Sequence, residues 1–265
     1  MLRVHHLDCA TLCTAAPGLV VGPGHAGMVC HCLLVETDAG LVLVDTGLGT
    51  EDVRDPTRLG VGFRVLARPR LDPEQTALRQ VERLGFRAED VRHIVLTHLD
   101  FDHAGGLADF PWATVHVTAQ EHEAATRAAS FVEKQRYFAR QWVHAPRFEL
   151  YRTEGARWCG FEAVAALRGL PPEILLVPLF GHTRGHAGVA VHATDGWLLH
   201  AGDAYFHRAT VEGGAVPRVV ALLERVIQMD GPARVANQAR LYTLARSGEA
   251  RVFCAHDPAE LARYA

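Results

Sequence analysis

Thr97-His98-Leu99-Asp100-Phe101-Asp102-His103-Ala104-Gly105-Gly106 sets four ionisable side chains on one short turn, between the apolar run His93-Ile94-Val95-Leu96-Thr97 and a pair of glycines. The run reads as a buried β-strand. An apolar strand end has no use for two imidazoles and two carboxylates unless they meet a cation, because unpaired buried charge is costly. The same arrangement recurs along the chain. The run Ile174 to Leu179 stops just before Gly181-His182, Trp197 to Ala201 before Gly202-Asp203, and Val252 to Cys254 before Ala255-His256. Four strands thus end in a metal-ligating side chain, and in a layered α/β protein such ends can converge on one point.

The set is His98, Asp100, Asp102, His103, His182, Asp203 and His256. Imidazoles and carboxylates together suit Zn, Fe(II), Mn or Co, whereas calcium would want oxygen alone. Seven donors exceed one tetrahedral ion and suit two ions sharing a carboxylate.

The rest of the chain supplies the layers. Cys32–Glu36 and Leu41–Val44 read as a hairpin around a polar turn, leading to Asp45-Thr46-Gly47. Asp72-Pro73 opens a helix to about Leu84, stopped by Gly85. A strand is expected at Thr114–Thr118, and apolar spacing over Ala119–Val143 predicts one helix. Strands at Gly188–Ala193 and Gly196–Ala201, helices near Arg218–Gln228 and Ala233–Arg246, and a last strand at Arg251–Cys254 complete the pattern. Strands interleaved with helices, several of them continuous Val/Leu runs, imply sheets covered on both faces. Nothing divides residues 1–265 into more than one domain.

Composition narrows the function. The chain is 49% apolar and 22% charged, with 27 basic and 30 acidic residues and a net charge of −3, so no basic stripe invites nucleic acid. No apolar run approaches the roughly 20 residues of a membrane span, and Met1–Pro17 carries His5, His6 and Asp8 where a signal peptide would be apolar. The expectation is a cytoplasmic protein acting on a small molecule. Its six cysteines are expected to be reduced, buried and structurally bland, since neither Cys9/Cys13 nor Cys30/Cys32 has zinc-site spacing. Histidine, at sixteen, is the unusual entry in the composition.

These motifs, in this order, resemble the metallo-β-lactamase-fold hydrolases. His98 to His103 is similar to the family's HxHxDH segment, Gly181-His182-Thr183-Arg184-Gly185-His186 to its Gly-His-Thr-x-Gly-His segment, Asp203 to its bridging aspartate, and Ala255-His256-Asp257 to its final histidine. The resemblance runs from about Cys30 to Asp257 and implies a four-layer αββα sandwich with a helical insertion between metal motifs. It also implies that His98, the residue at 100 and His182 hold one metal, that Asp102, His103 and His256 hold the other, and that Asp203 lies between. The implied cofactors are two divalent ions, zinc first, with Mn or Fe as alternatives.

One position departs from the family pattern: its usual second histidine is Asp100 here. As a ligand, the extra carboxylate would weaken the ions as Lewis acids and favour harder metals. In the competing reading Asp100 turns away to orient a neighbour, leaving the first site weak or empty.

The constellation points to hydrolysis by a hydroxide bridging the two metals, with Asp102 carrying the proton to the leaving group. Tyr205 is a second catalytic candidate, as a phenol placed to stabilise an oxyanion. Asp45 is a candidate support for a ligand, while His186 and His200 read as core. Aromatic residues of the segment Trp112–Gly169 could wall an acyl chain, and Glu51–Arg70 reads as a mobile loop able to steer an anion. The resemblance is nearest the lactonase-like branch and implies cleavage of a lactone or carboxylic ester. A thioester or small phosphoester hydrolase, and a non-hydrolytic di-iron protein, are the alternatives.

Overall fold

The structure, a computed structural model, describes residues 1–144 and 146–264. Two sheets face each other. The first holds β1 (Arg3–Leu12), β2 (Met28–Thr37), β3 (Gly40–Val44), β4 (Pro69–Arg70), β5 (Val91–Val95), β6 (Thr114–Thr118) and β7 (Arg147–Tyr151), in the spatial order β4-β1-β2-β3-β5-β6-β7. The second holds β8 (Ala156–Trp158), β9 (Phe161–Ala166), β10 (Ile174–Pro178), β11 (Ala187–Ala193), β12 (Gly196–His200) and β13 (Ala250–Phe253), in the order β13-β12-β11-β10-β9-β8.

Side-chain alternation builds three apolar layers from these sheets. Leu33, Val35, Val42, Val44 and Val95 point inward to meet Leu176, Val189, Val191, Leu198 and Phe253 between the sheets. Leu34, Leu41, Leu43 and Ile94, on the opposite face, meet Leu59, Val81, Leu99 and Phe101 under the helices of the first half. Val177, Leu199 and Val252 meet Leu241 and Leu244 of the helix Gly231–Ser247. Helix, sheet, sheet, helix is the four-layer αββα sandwich expected from the sequence.

Strand direction positions the site. β3, β5, β6 and β7 run parallel to one another, as do β12 and β13. β11 is antiparallel to both its neighbours, so β10 points the same way as β12. The C-terminal ends of β3, β5, β10, β12 and β13 therefore deliver Asp45, His98, His182, Asp203 and His256 to one edge.

Two expectations change. The segment Ala119–Val143 is not one helix: it breaks at Ala128 (φ 14°) into helices Ala119–Arg127 and Phe131–Arg136 and a turn at Ala139–Gln141. Ser130 restarts it with a capping box, its hydroxyl accepting from the Glu133 N–H while Glu133 accepts from the Ser130 N–H. The break turns the second helix so that its last residue, Arg136, is buried. Glu51–Arg70 is also more structured than a mobile loop. It contains helices Thr50–Arg54 and Val61–Leu66, tied down by buried Asp52, which accepts from Arg58 Nε and Gln141 Nε2, both at 3.1 Å. No helix among the described residues is long and apolar enough to cross a membrane.

Candidate metal centre

All seven sequence-selected donors are buried and meet at that edge. His98 Nε2 lies 3.4 Å from Asp100 Oδ2, which lies 3.2 Å from His182 Nε2. Asp203 stands between this group and the next. Its Oδ2 is 3.7 Å from His98 Nε2 and 3.4 Å from His182 Nε2, while its Oδ1 is 3.3 Å from His103 Nε2 and 3.1 Å from His256 Nε2. Asp102 closes the second group at 3.7 Å from His256 Nε2 and 4.0 Å from His103 Nε2.

Each imidazole is aimed by what holds its other nitrogen or its loop. His103 Nδ1 bonds Asp45 Oδ2 at 2.8 Å, and His256 Nδ1 bonds the Val29 carbonyl at 2.7 Å. His98 Nδ1 meets the Thr97 hydroxyl at 2.9 Å. Asp45 also accepts from the Thr97 N–H and hydroxyl, both at 2.8 Å, so one carboxylate locks the start of the ligand turn and one ligand together. It does so with φ at 57°, a backbone conformation that Asp tolerates better than most residues. His186 is buried, as expected, yet it also serves the site: its Nε2 accepts from the Asp203 N–H at 2.9 Å. A Cβ on Gly202 (φ 53°) would sit 2.6 Å from that Nε2.

Glu121 braces the two ligand loops. It accepts from the Leu99 N–H (3.0 Å), the Thr183 hydroxyl (2.6 Å), the Gly185 N–H (3.1 Å) and the Tyr137 hydroxyl (3.0 Å). Gly185 permits the approach, since a Cβ there would fall 2.1 Å from the Glu121 nitrogen.

The electrostatics are those of a cation site. Burial pushes the Asp203 carboxyl up, but His256, His103 and His182 outweigh it and hold the group well below the ordinary carboxylate range. Asp100 is likewise held well down, with Arg136 and His98 overcoming its burial. Burial alone would lower His103, yet Asp203, Asp45 and Asp102 carry it well above the usual imidazole value. His182 goes the other way, to about 4, through burial and then the neighbouring Arg136.

The donor set fits a metal on its own terms. Nε2 of His98 and of His103, and Oδ1 of Asp100 and of Asp203, are buried atoms with no hydrogen-bond partner. Buried polar atoms are seldom orphaned, and four in one cluster mark a place where bonds to something else are made.

Tyr205 does not belong here. Its side chain is fully buried in the outer core of the second sheet and its hydroxyl donates to Glu260 at 3.0 Å, so it is corrected from catalytic candidate to structural residue. The residue after it faces the ligands instead: the Phe206 ring lies 5.7 Å from that of His182 and 5.3 Å from that of His256. Most aromatics of Trp112–Gly169 pack within the fold, as Tyr151 does on His116 and Trp158 on Trp197, and Phe131 is exposed. Phe138 also packs on the core, and there it joins Phe101 (5.3 Å) and through it Phe63 (4.4 Å) beside the ligand turn.

Two further residues escaped the sequence reading. Cys30 lies with Asp102 and His256 in a buried group whose ligand atoms are all within 4.8 Å of one another, which a bland core thiol would not predict. Arg136 reaches Asp100 Oδ2 and His182 Nε2, each at 3.1 Å.

With fold and donors in place, the comparisons with known proteins agree on the class. Residues 26–260 match the family model described as the metallo-beta-lactamase superfamily, and the chain belongs to that superfamily. A Mycobacterium tuberculosis protein named as a probable metallo-hydrolase is 46% identical over 260 residues, 97% of this chain and 81% of its own length. An N-acyl homoserine lactonase of Bacillus cereus is 31% identical over 185 residues, 68% of this chain and 66% of its own. Among solved structures, an N-acyl homoserine lactone hydrolase with the product N-hexanoyl-L-homoserine at its catalytic metal centre superposes with a TM-score of 0.71 at 19% identity, covering 98% of this chain and 95% of its own.

Proposed function

We propose that this chain is a metal-dependent hydrolase of a lactone or carboxylic ester, with His98, Asp100, Asp102, His103, His182, Asp203 and His256 as its metal-facing residues. The observation that carries this reading is the convergence of seven buried donors, four of whose atoms are unpartnered, at one sheet edge. The lactonases among its relatives support the bond type.

Bound divalent metal, zinc by analogy with the dizinc lactonase among its structural neighbours and Mn or Fe as alternatives, supplies Lewis acidity toward water and carbonyl oxygen. Seven donors make room for two ions, and the buried charge beside Asp100 bears on whether both are held.

The protein's own groups do the positioning and the proton transfer. Asp102 has the highest exposure of the seven donors, at 9%, and so is the one best placed to exchange a proton with a substrate. It takes a proton from the attacking water as the acyl C–O bond forms, and returns it to the leaving oxygen as the ring or ester C–O bond breaks. The products are a carboxylate and an alcohol, which in a lactone are one molecule. Phe206 and Phe101, both buried, and the partly buried Phe138 make this flank of the site apolar, in keeping with an acyl chain.

The test is a substrate panel of lactone, carboxylic ester, thioester and phosphoester on metal-loaded protein, with Asp203→Ala as the background. Lactone or ester turnover that is lost in Asp203→Ala and on chelation, and restored by metal, is the expected result. Higher kcat/KM for a thioester or phosphoester, or no turnover of any member, overturns the assignment.

A further inference from the structure

The helix Phe131–Arg136 aims a permanent positive charge into the ligand cluster. Arg136 is 7% exposed, and its guanidinium is gripped by the site: one terminal nitrogen donates to the His182 carbonyl at 2.9 Å, the other lies 3.1 Å from Asp100 Oδ2 and 3.1 Å from His182 Nε2. Its Nε has no partner, so its bonds are directed to the cluster and not shared with the surrounding core. The helix cannot easily withdraw it. Ser130 and Glu133 cap the helix start, and Glu133 also accepts from Arg184 Nε at 2.6 Å, fastening the helix to the loop that carries His182.

We infer that Arg136 takes the place of one metal charge in the first group, so that the chain holds a single divalent ion tightly, at Asp102, His103, Asp203 and His256, and the His98–Asp100–His182 group binds a second only weakly.

Two observations lead there. The first is geometric. A metal in the first group needs the lone pairs of His98 Nε2 and His182 Nε2 and an oxygen of Asp100, and His182 Nε2 and one of the two Asp100 oxygens already face a guanidinium nitrogen at hydrogen-bond distance. A guanidinium keeps its charge at any working pH, so the competition is never switched off. His103 Nε2 and Asp203 Oδ1, in the second group, have no such partner. The second is charge. Asp100, Asp102 and Asp203 carry three negative charges, which one divalent ion and Arg136 together neutralise. Two divalent ions with Arg136 would bring five positive charges, which balance only when the Asp45 carboxylate beside His103 and a bound hydroxide are both added to the three. Asp100 is on this view the counter-ion of Arg136, with its Oδ1 still free to give a second ion a weak hold. The first group is then weak, as in the second reading of Asp100, although Asp100 does not turn away: its Oδ2 faces His98 Nε2 and His182 Nε2 as well as Arg136.

The inference rests on the metal-dependent reading above, and the experiment separates the two. Metal-free protein is titrated with Zn(II) alone against a chromophoric chelator, and with Co(II) alone while its absorption and EPR spectra are followed. Wild type is expected to take up one equivalent at least 100-fold more tightly than a second, with a spectrum of isolated Co(II). Arg136→Met is expected to tighten the second equivalent at least tenfold and to show spin-coupled Co(II), while Arg136→Lys, which keeps the charge, stays near wild type. Two equivalents of similar affinity in wild type overturn the inference and leave the hydrolase reading standing. No metal uptake at all overturns both. The wild-type titration decides the matter even where Arg136→Met fails to fold.

Discussion

Asp45→Asn isolates the role of a residue that touches no substrate and aims a ligand. The Asp45 carboxylate makes three hydrogen bonds of 2.8 Å, to the Thr97 N–H, the Thr97 hydroxyl and His103 Nδ1. Asparagine tolerates the positive φ of this position, so the substitution adds little backbone strain. Its carbonyl oxygen can keep the Thr97 N–H, but an NH2 group replaces Oδ2. His103 must then accept at Nδ1 and carry its proton on Nε2, the atom that faces Asp203. Two charge-assisted bonds of roughly 1.5–3 kcal/mol each are exchanged for about one neutral bond near 1 kcal/mol, a net loss of about 3 kcal/mol. In a domain of this size that corresponds to a fall in Tm of roughly 6–12 °C. Metal affinity should fall about 10–100-fold, the usual cost of losing the partner that orients a ligating imidazole. The assay is chelator competition for affinity, beside thermal unfolding with and without metal. A variant that melts lower yet binds metal as wild type does would refute the claim that Asp45 sets the His103 tautomer, and would reduce it to a turn-capping residue.

Other contacts in the molecule have consequences of their own. Tyr205→Phe should keep kcat within about twofold, since the hydroxyl bonds Glu260 and not the site, while costing about 1–3 kcal/mol through the buried carboxyl left short of a donor; steady-state kinetics and melting separate the two. Glu260 itself is pushed up to about 7, chiefly by burial. Because the folded value exceeds the unfolded one near 4.3, the native state binds the extra proton between the two, so this group's stabilisation is complete below about pH 4 and is lost as pH rises to 7. Glu260→Gln should flatten the stability–pH slope over that window in urea titrations. Removing metal should lower Tm, because the ion binds the folded cluster of buried donors and not the unfolded chain; metal at 1,000 times its Kd is worth about 4 kcal/mol, and identical melting with and without chelator would contradict a structural share for the ion.

Much of the site was legible in sequence because its information is local. His98, Asp102 and His103 sit within one turn, and each remaining ligand follows an apolar run that could only be a strand, so residue type and strand ends together were enough. The hairpin β2–β3 and strand β6 were equally visible, the latter at Thr114–Thr118 as observed. What the sequence hid depends on direction and on tertiary contact. Two residues past Asp203 a tyrosine could face either way, and the fold turns it into the core while Phe206 takes the ligand side. The helical spacing over Ala119–Val143 is real in places, but the break at Ala128 carries no Gly or Pro signal, and without that break Arg136 has no reason to meet Asp100, 36 positions earlier in the numbering. β1, which pairs with β2 over nearly its whole length, mixes His5, His6 and Asp8 with apolar residues and lacks the clean alternation that would have shown it. Cysteine spacing carries no sign of the place of Cys30, because its neighbours Asp102 and His256 lie just beyond strands distant from it in the chain.

The central claim is that distant strand ends assemble a metal-binding cage. A crystal structure of the metal-loaded protein, with anomalous diffraction recorded at the absorption edge of the bound metal, tests it most directly. An anomalous peak is expected about 2.0–2.2 Å from Nε2 of His103 and of His256 and from carboxylate oxygens of Asp102 and Asp203. A fully loaded protein whose only peak lies elsewhere, with those four side chains uncoordinated, would contradict it.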